Sequence, residues 1–329
     1  MKGLSNKVKI AVVIPCYRVG GQLTGVIEKI GPEVSRIYVV DDACPDHSAD
    51  VVQDGCVDSR IKLIHHNTNQ GVGGAVMTGY CQAISEGMDI IVKIDGDGQM
   101  DPRLIPAFVR PIVRGEADYT KGNRFFSIDN VKSMPKIRIL GNAVLSFFNK
   151  LSSGYWTIFD PANGYTAINA KVLKILPFDR IDNRYFFESD MLFQLGLIRA
   201  AVIDVPMVAI YGNEHSNLKI TNEIYRFLLK HLKNAFKRIL YNYYLRDFSI
   251  ASVELLLGVV LIAFGLYSGI SSWIEASAAE SFASSGTVML ASLPIIIGCQ
   301  LLISFLAYDI NLQPRNSVSS LLKVNEETK

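Results

Sequence analysis

Two apolar stretches near the C-terminal end place the tightest limit on how this chain can fold. Residues 253–273 and 287–308 each approach the roughly 20 residues that a helix needs to cross a bilayer. Not one Lys or Arg occurs between Asp247 and Pro314. We therefore predict two transmembrane helices, because the alternative, a pair of buried core helices, is rarely apolar on every face over this length.

Basic residues lie on both sides of this region. They are Lys219, Arg226, Lys230, Lys233, Lys237, Arg238 and Arg246 upstream, and Arg315, Lys323 and Lys329 downstream. The connecting loop carries only the charged residues Glu275 and Glu280. Because cytoplasmic segments are enriched in Lys and Arg, we expect a multi-pass inner-membrane protein with both termini cytoplasmic and the loop 274–286 outside.

Residues 222–248 alternate apolar and basic side chains at helical spacing. The apolar members are Ile224, Phe227, Leu228, Leu232, Ala235, Phe236, Ile239 and Tyr243. This pattern predicts an amphipathic helix on an anionic membrane surface, with a solvated linker helix as the alternative. The predicted organisation is therefore a catalytic domain over 1–217, juxtamembrane helices over 218–248, a two-helix membrane domain over 249–310 and a cytoplasmic tail over 311–329.

The first half of the chain alternates short apolar runs with longer mixed segments. The runs at 9–15, 36–42, 61–66 and 89–95 are predicted strands, and the segments 20–31, 47–56, 73–86 and 102–114 are predicted helices. Such alternation indicates an α/β fold with a mostly parallel sheet. Ligands of such folds bind at the carboxyl ends of the strands, which is where the polar motifs of this chain fall.

Composition excludes several function classes. The formal net charge of +2 is too small to indicate a nucleic-acid partner. The five cysteines show no CxxC spacing, which argues against a disulfide framework or a zinc site. His65, His66, His215 and His231 likewise lack metal-ligand spacing, so surface or core positions are expected for them.

The strongest motif follows the predicted strand at 89–95 and reads DGDGQMDP. Its two carboxylates, Asp95 and Asp97, lie two residues apart with glycines around them. Oxygen ligands of this kind suit Mg²⁺ or Mn²⁺ and leave coordination positions for a substrate phosphate. The alternative is a solvated acidic turn, which is a poor match to a motif that follows a buried-type strand directly.

Two further motifs stand at predicted strand ends. Asp41 and Asp42 end the second strand, where a carboxylate can bind a base or ribose or can cap the next helix. The turn NQGVGGA, which contains Gly71, precedes a helix, and its glycines would let backbone amides approach a diphosphate. Glycine-rich turns before helices are common, so both interpretations of Gly71 stay open.

The ordered motifs VVIPCYR, VVDD, NQGVGGA, KIDGDGQMDP, GNRF, DPANGY and FESD resemble the inverting family-two glycosyltransferases of the GT-A fold. More narrowly, the chain is similar to the polyprenyl-phosphate hexose transferases over roughly residues 8–220. The resemblance implies a GT-A Rossmann-like domain that transfers a hexose from a UDP- or GDP-linked donor to a polyprenyl phosphate. It also implies a divalent cation, Mg²⁺ or Mn²⁺, and contact with membrane lipids.

The resemblance also assigns roles to residues. It implies donor binding by Pro15, Tyr17, Asp42, Asp95, Asp97, Ser216 and Lys219, to which the glycine turn adds Gly71. It implies metal binding by Asp95, Asp97 and Gln99, acceptor-phosphate binding by Arg124 and Arg138, and catalytic roles for Asp97, Asp160, Glu188 and Asp190. Gly164 matches a position near the sugar and acceptor. Arg18-Val19 replaces the family's usual Asn-Glu, and 211–219 lacks the arginine typical of dolichol-type enzymes, which leaves the donor undetermined.

Several alternatives remain at this point. Arg124 and Arg138 could instead pair with Asp160 or Glu188 in a structural ion network. Tyr155 and Trp156 could stack on a sugar or face lipid. The acceptor could be a glycan or glycolipid, although the QxxRW motif of processive synthases is absent, and a non-catalytic scaffold would not need the acidic motif. The small residues Gly258, Gly265 and Gly269 predict packing against a partner helix in a homo-oligomer.

Overall fold

The computed structural model describes residues 8–19, 21–55, 58–126, 136–208 and 220–327. Within these ranges, the side chains of 53–55, 136–138, 220–224 and 323–327 are not described. The chain divides into two compact units. The first comprises Met1–Ala235 with Pro314–Lys329, and the second comprises Phe236–Gln313.

A seven-stranded sheet with the order β3-β2-β1-β4-β6-β5-β7 organises the first unit. Its strands are β1 (Ile10–Cys16), β2 (Val34–Asp41), β3 (Ile61–His65), β4 (Ile90–Lys93), β5 (Tyr119–Asn123), β6 (Thr166–Asn169) and β7 (Val202–Pro206). Only β6 runs against its neighbours, β4 and β5, so the predicted mostly parallel sheet is confirmed. All four strands that the sequence predicted are present.

Helices surround this sheet and continue into the second unit. They are α1 (Gln22–Ile27), α2 (Asp50–Gly55), α3 (Val72–Ser85), α4 (Ile105–Val113), α5 (Lys136–Ser153), α6 (Ala170–Leu173), α7 (Phe187–Leu197), α8 (Ile220–Leu240), α9 (Ile250–Ala278), α10 (Ser285–Asn311) and α11 (Val318–Glu327). A π-helix, Tyr241–Arg246, follows α8, and 3₁₀ turns lie at Pro102–Leu104 and Phe178–Arg180. The first four helices fall on the four predicted segments.

The central strands explain why the apolar runs in the first half are continuous. Every residue of β1 and β4 is buried, because helices cover both faces of the sheet. One core cluster contains Ala11, Val13 and Ile91, and the other contains Val12, Ile14 and Val92, so alternate residues of a strand supply opposite faces. The parallel strands β1, β2 and β4 therefore bring their carboxyl ends to one edge.

The second unit contains the two apolar helices that the sequence predicted. Helix α9 has 29 residues and α10 has 27, and each is long and apolar enough to cross a membrane. Their glycines pack within the chain: a Cβ on Gly258 would lie 3.1 Å from the Gly298 carbonyl oxygen, and one on Gly265 would lie 2.6 Å from that of Ala291. These two glycines therefore fit close packing of α9 on α10, so they no longer support the predicted homo-oligomer.

Helix α8 carries a buried stripe that is mostly polar. His231, Asn234 and Arg238 are buried at helical spacing, and each is hydrogen-bonded within its own unit. A second stripe is apolar and exposed, and it consists of Tyr225, Leu229, Leu232, Phe236 and Leu240. The predicted amphipathic helix is present, but its apolar face differs from the predicted set because polar partners inside the protein fix the helix rotation.

The segment after α10 returns to the first unit. Asp118 is fully buried before β5, and its carboxylate accepts hydrogen bonds from Ser317 Oγ, Val318 N and Ser319 N at 2.7–2.8 Å. This carboxylate caps the first turn of α11 from another part of the chain. The residues predicted as a tail thus include a docked helix.

Candidate active site

A buried lysine lies at the carboxyl end of β4. Lys93 Nζ is 3.0 Å from Asp95 Oδ1 and 2.8 Å from Glu188 Oε1, and its side chain is 1% exposed. Burial alone would lower the pKa of Lys93, but the Asp95 and Glu188 carboxylates raise it above its usual value. The lysine is therefore charged, and it joins the β4 motif to the start of α7.

The rest of the acidic motif lines a cavity. Asp97 is partly exposed, and its Oδ1 accepts a hydrogen bond from Gln99 N at 3.0 Å. Both residues line a cavity of about 340 Å³ together with Gln22, Lys29 and Arg103. Farther along the motif, Asp101 caps the 3₁₀ turn through Arg103 N and pairs with the Arg103 guanidinium, so its carboxylate has a local structural task.

The oxygen atoms at this edge fit a divalent cation. Asp95 is 30% exposed and Asp97 is also partly exposed, so both carboxylates at this strand end are accessible. Hard cations such as Mg²⁺ and Mn²⁺ take oxygen ligands and commonly bind through one or two carboxylates plus substrate phosphates. Among the described residues, no group of three His, Cys, Asp or Glu side chains could hold a metal. A cation bound by Asp95 and Asp97 would therefore take its other oxygens from groups such as the Gln99 amide, water or a substrate phosphate.

Gly164 closes one side of this cluster. A Cβ built on Gly164 would lie 2.5 Å from both Asp95 Oδ2 and Lys93 Nζ. No side chain fits at that distance, so the absence of a Cβ is what permits the backbone before β6 to lie on the Asp95–Lys93 pair. The structure thus brings Gly164, which the sequence assigned to the sugar end, directly onto the predicted metal ligand.

Asp42 organises the turn before α3. Its two carboxylate oxygens accept hydrogen bonds from Gln70 N and Gly71 N, both at 2.8 Å, and its Oδ1 lies 2.8 Å from His66 Nδ1. The side chain is 4% exposed. These contacts show that Asp42 stabilises the turn before α3, and none of them requires a nucleotide.

The glycines of that turn allow close packing against the backbone of residues 182–184. Gly71 has φ +91°, and a Cβ there would lie 2.5 Å from the Asn183 carbonyl oxygen. That same oxygen accepts a hydrogen bond from Gly74 N. Two of the amides that would have cradled a diphosphate, Gly71 N and Gly74 N, are thus bonded within the protein. The packing alternative accounts for the glycine turn without a ligand.

Among the predicted donor contacts that the structure describes, the most exposed lies at the end of β1. Pro15 is buried in the strand, whereas Tyr17 is 43% exposed and Arg18 lies over its ring. Arg18 has φ +54° and its N–H donates to Cys44 Sγ. The unusual Arg18 therefore sits in a left-handed turn that directs Tyr17 outward.

Arg124 and Asp160 form a bidentate ion pair. Arg124 Nε and Nη2 donate to Asp160 Oδ2 and Oδ1 at 2.7 and 2.8 Å, and Asp160 is fully buried. The ion-network alternative for Arg124 is therefore what the structure contains. Arg138 lies in the first turn of α5, and its side chain is outside the described residues.

A further buried polar group lies behind this pair. Asp204 on β7 accepts a hydrogen bond from Asn123 Nδ2 at 2.8 Å, and its other oxygen finds no partner within the described part of the chain. Burial raises the pKa of Asp204 to about 6. Next to it, burial lowers the pKa of Lys121 to about 8, and its ammonium donates to the Asn163 carbonyl oxygen.

Three remaining predictions have different outcomes. Asp190 is buried, and it accepts hydrogen bonds from Asn234 Nδ2 on α8 and from Asp182 N. Tyr155 is fully buried and donates to the Ala200 carbonyl oxygen, so its predicted contact with sugar or lipid is wrong. Ser216 and Lys219 lie outside the described residues.

Sequence reasoning missed Lys93 and Asp204. Lys93 had a signal, because a lone cation inside the strand sequence IIVKI must be paired when the strand is central. Asp204, in the sequence VIDVP, had a weaker one, since β7 is an edge strand where charged residues are ordinary.

Comparison with known proteins identifies relatives that cover about two thirds of this chain. Residues 11–176 match the family model described as Glycosyl transferase family 2. The chain is 29% identical over 232 residues to the UDP-N-acetylglucosamine–dolichyl-phosphate N-acetylglucosaminyltransferase of Methanococcus voltae, covering 66% of this chain and 92% of that one. It is 26% identical over 203 residues to the undecaprenyl-phosphate mannosyltransferase of Micrococcus luteus, covering 60% and 82%.

Solved structures support the fold. Glucosyl-3-phosphoglycerate synthase of Mycobacterium tuberculosis, in complex with Mg²⁺ and UDP, superposes with a TM-score of 0.53 at 19% identity. The match covers 70% of this chain and 79% of that one. At this identity the likeness shows the shared fold, and it confirms the predicted α/β fold of the GT-A type.

Proposed function

We propose that this protein, which belongs to glycosyl transferase family 2, transfers a hexose from a UDP- or GDP-linked donor to a polyprenyl phosphate at a membrane. The observation that carries the proposal is the pair of partly exposed carboxylates, Asp95 and Asp97, at the carboxyl end of β4. The names of the relatives from M. voltae and M. luteus support a lipid phosphate as the acceptor. Two helices of membrane-spanning length are consistent with an acceptor that stays in the bilayer.

The chemistry is a direct displacement. An oxygen of the acceptor phosphate attacks the anomeric carbon, and the bond from that carbon to the nucleoside diphosphate breaks. Asp95, Asp97 and Gln99 would hold a divalent cation, which would compensate the charge that grows on the departing diphosphate. A phosphate oxygen is already ionised near neutral pH, so the chain need not supply a strong general base.

The proposed donor contacts begin at Tyr17, which the left-handed turn at Arg18 directs outward. Asp42 and Gly71 would act by fixing the turn before α3. Ser216 and Lys219 stay predictions of donor contact. Glu188 and Asp190 are already bonded, to Lys93 and to Asn234, so a role in holding the site suits them better than proton transfer.

The acceptor phosphate needs cationic partners. Arginine suits phosphate because its planar fork makes two parallel charge-assisted hydrogen bonds. Arg138 is the proposed contact. Arg124, 14 residues before Arg138, is a second cation in this part of the chain, but its Nε and Nη2 already donate to Asp160. Replacing Arg138 by Ala should weaken use of polyprenyl phosphate and leave binding of the nucleotide donor nearly unchanged. Loss of thermal stability and donor binding together would assign Arg138 a structural task.

The direct test is a donor panel. Purified protein is incubated with UDP- and GDP-sugars, a short polyprenyl phosphate and Mg²⁺ or Mn²⁺, and the label is followed into the organic phase. We expect one donor to label the lipid in a metal-dependent reaction. Activity that survives EDTA would contradict the metal, and a product found only in the aqueous phase would contradict the lipid acceptor.

We further propose that both termini face the cytoplasm, because Lys and Arg flank the two apolar helices and are absent between Asp247 and Pro314. The short turn between α9 and α10 then faces the exterior. A Ser281→Cys variant in a Cys299→Ser background should react with an impermeant thiol reagent in intact cells. Labelling that appears only after lysis would refute this orientation.

A further inference from the structure

Lys93 is a buried cation for which the proposed reaction has no direct use. Transferring an ammonium from water into a protein interior is costly unless carboxylates compensate it. Asp95 and Glu188 do so, each within 3.0 Å of Nζ. One of these two carboxylates belongs to the predicted metal site, and the other begins a helix far away in sequence.

The backbone beneath Lys93 is fixed. Lys93 pairs with Val13 of β1 on one side and with Thr166 of β6 on the other, so it lies within the sheet on a strand bonded at both edges. Its ammonium is buried and bonded to two carboxylates, so the end of the side chain is held in place as well. Asp95, two residues beyond, lies in the loop that leaves the strand.

The Asp95 carboxylate is held from two sides. Its Oδ1 accepts a hydrogen bond from Lys93. Its Oδ2 lies so near Gly164 that a Cβ on that residue would be only 2.5 Å away. Such contacts restrict the carboxylate to one orientation before any ligand arrives. Second-layer contacts of this kind commonly set the affinity of a metal site.

We propose that Lys93 is a positioning residue of the active site, whose ammonium, anchored by Glu188, holds Asp95 in the orientation that receives the divalent cation. This inference rests on the proposed function, because it takes Asp95 to be a metal ligand. It assigns Glu188 the task of anchoring Lys93 and removes it from the general bases.

Charge gives a second reason for the arrangement. Asp95 and Glu188 both contact Lys93 Nζ, so two like charges lie close together there. The Lys93 ammonium lies against both carboxylates and offsets the repulsion between their charges. Without it, the carboxylate oxygens of Asp95 and Glu188 would face each other across the emptied position.

The test measures Mn²⁺ affinity directly, by electron paramagnetic resonance of the full-length protein in detergent with UDP or GDP present. Lys93→Met should weaken Mn²⁺ affinity by about 10- to 100-fold, the usual range for removing a partner of a metal ligand. Glu188→Gln should weaken it less than about fivefold, because the amide oxygen still accepts from Lys93. The pH profile of kcat should not change in Glu188→Gln.

The chain offers a matched control. Lys62 Nζ and Glu86 Oε1 are also 2.8 Å apart, but their side chains are 44% and 23% exposed on the surface. Lys62→Met should leave Mn²⁺ affinity and kcat at the wild-type values. If Lys93→Met does not fold, the double variant Lys93→Met/Glu188→Gln removes the unpaired charge, and it should fold while still binding Mn²⁺ weakly.

Two results would overturn the inference. One is Mn²⁺ affinity within twofold of wild type in Lys93→Met or in the double variant. The other is a Glu188→Gln variant that loses kcat by more than 100-fold with unchanged Mn²⁺ affinity, which is the signature of a general base. Wild-type protein that binds Mn²⁺ with a nucleotide but labels no lipid would contradict the proposed function alone. Wild-type protein that binds no Mn²⁺ would contradict both.

Discussion

Each of the two units contains a buried ion cluster, and the two clusters differ in how completely they are closed. In the first unit, Lys93 joins Asp95 and Glu188, and the Asp95 side chain is 30% exposed. In the second unit, Arg238 forms two hydrogen bonds to Asp309 at 2.7 and 2.9 Å, and both side chains are only 3% exposed. Asp309 also accepts a hydrogen bond from the Tyr243 hydroxyl at 2.6 Å.

The difference in exposure between Asp95 and Asp309 distinguishes a functional site from a purely structural ion pair. Asp309 directs both carboxylate oxygens at partners inside the protein and offers no surface to a ligand. Asp95 is compensated by Lys93 as well, yet its side chain stays 30% exposed at the carboxyl end of β4. Burial and pairing alone therefore do not mark function, whereas a compensated charge that keeps an exposed face does.

Disrupting the closed cluster, which consists of Arg238, Asp309 and Tyr243, should have the largest effect on stability. Arg238→Met leaves the buried Asp309 without its cation, and breaking a buried pair in this way costs about 3–5 kcal/mol. Denaturant unfolding in detergent would measure the change. The double variant Arg238→Met/Asp309→Leu should recover most of it, and Lys237→Met, an exposed position on the same helix, is the control. An Arg238→Met variant as stable as wild type would remove the distinction between the clusters.

Substitution in the acidic motif beside the open cluster, which consists of Lys93, Asp95 and Glu188, should have the largest effect on turnover. Asp97→Asn keeps the shape of the side chain and removes its charge, so kcat should fall on the order of 100-fold, equivalent to about 2.7 kcal/mol of transition-state stabilisation. Thermal stability should hardly change. Asp101→Asn is the matched control, because that carboxylate lies in the same loop but caps Arg103 N. Equal losses in both variants would mean that the loop, rather than the Asp97 charge, matters.

A smaller effect is expected from crowding the open cluster. Gly164→Ala places a methyl group 2.5 Å from Asp95 Oδ2 and from Lys93 Nζ, which must move one of them. We expect kcat to fall about tenfold and stability to fall by about 1–3 kcal/mol. Gly141→Ala on α5 is the control, since a Cβ there meets nothing within 4 Å. Wild-type Mn²⁺ affinity and kcat in Gly164→Ala would show that Asp95 tolerates displacement.

The sequence predicts the elements whose patterns are local. The strands at the start of the chain appear as apolar runs because both faces of the sheet are covered, and Asp95 and Asp97 are recognisable because they follow such a run directly. The two apolar helices are equally easy to predict, because their length and apolar composition can be read from the sequence without knowing any partner segment.

Pairings between distant segments could not be predicted in the same way. The turn at Gly71 resembles a phosphate cradle, but Asn183, more than 100 residues later, occupies the space. Helix α8 has the apolar and basic pattern of a surface helix, yet His231 and Asn234 face inward because Ser152 and Asp190 are there to bond them. Residue type alone does not reveal such partners.

The last prediction concerns a carboxylate that is buried beside Lys121, its partner on the neighbouring strand. Asp204 bonds Asn123 through Oδ2, and burial raises its pKa to about 6. A carboxyl group whose pKa is higher in the folded state than its unfolded value of about 3.9 stabilises the protein below pH 4 and loses that contribution as pH rises through 6. Asp204 should therefore be a stability cost at neutral pH.

Asp204→Asn removes this cost while its amide oxygen can still accept from Asn123. At pH 7.5 the variant should exceed wild type by about 1–2 kcal/mol in free energy of unfolding, and the difference should vanish near pH 4. His231 contributes the opposite trend, because burial lowers its pKa to about 4, but it is present in both proteins and cancels in the difference. A variant less stable than wild type at pH 7.5 would show that the Asp204 charge is compensated, which would place it with the closed cluster.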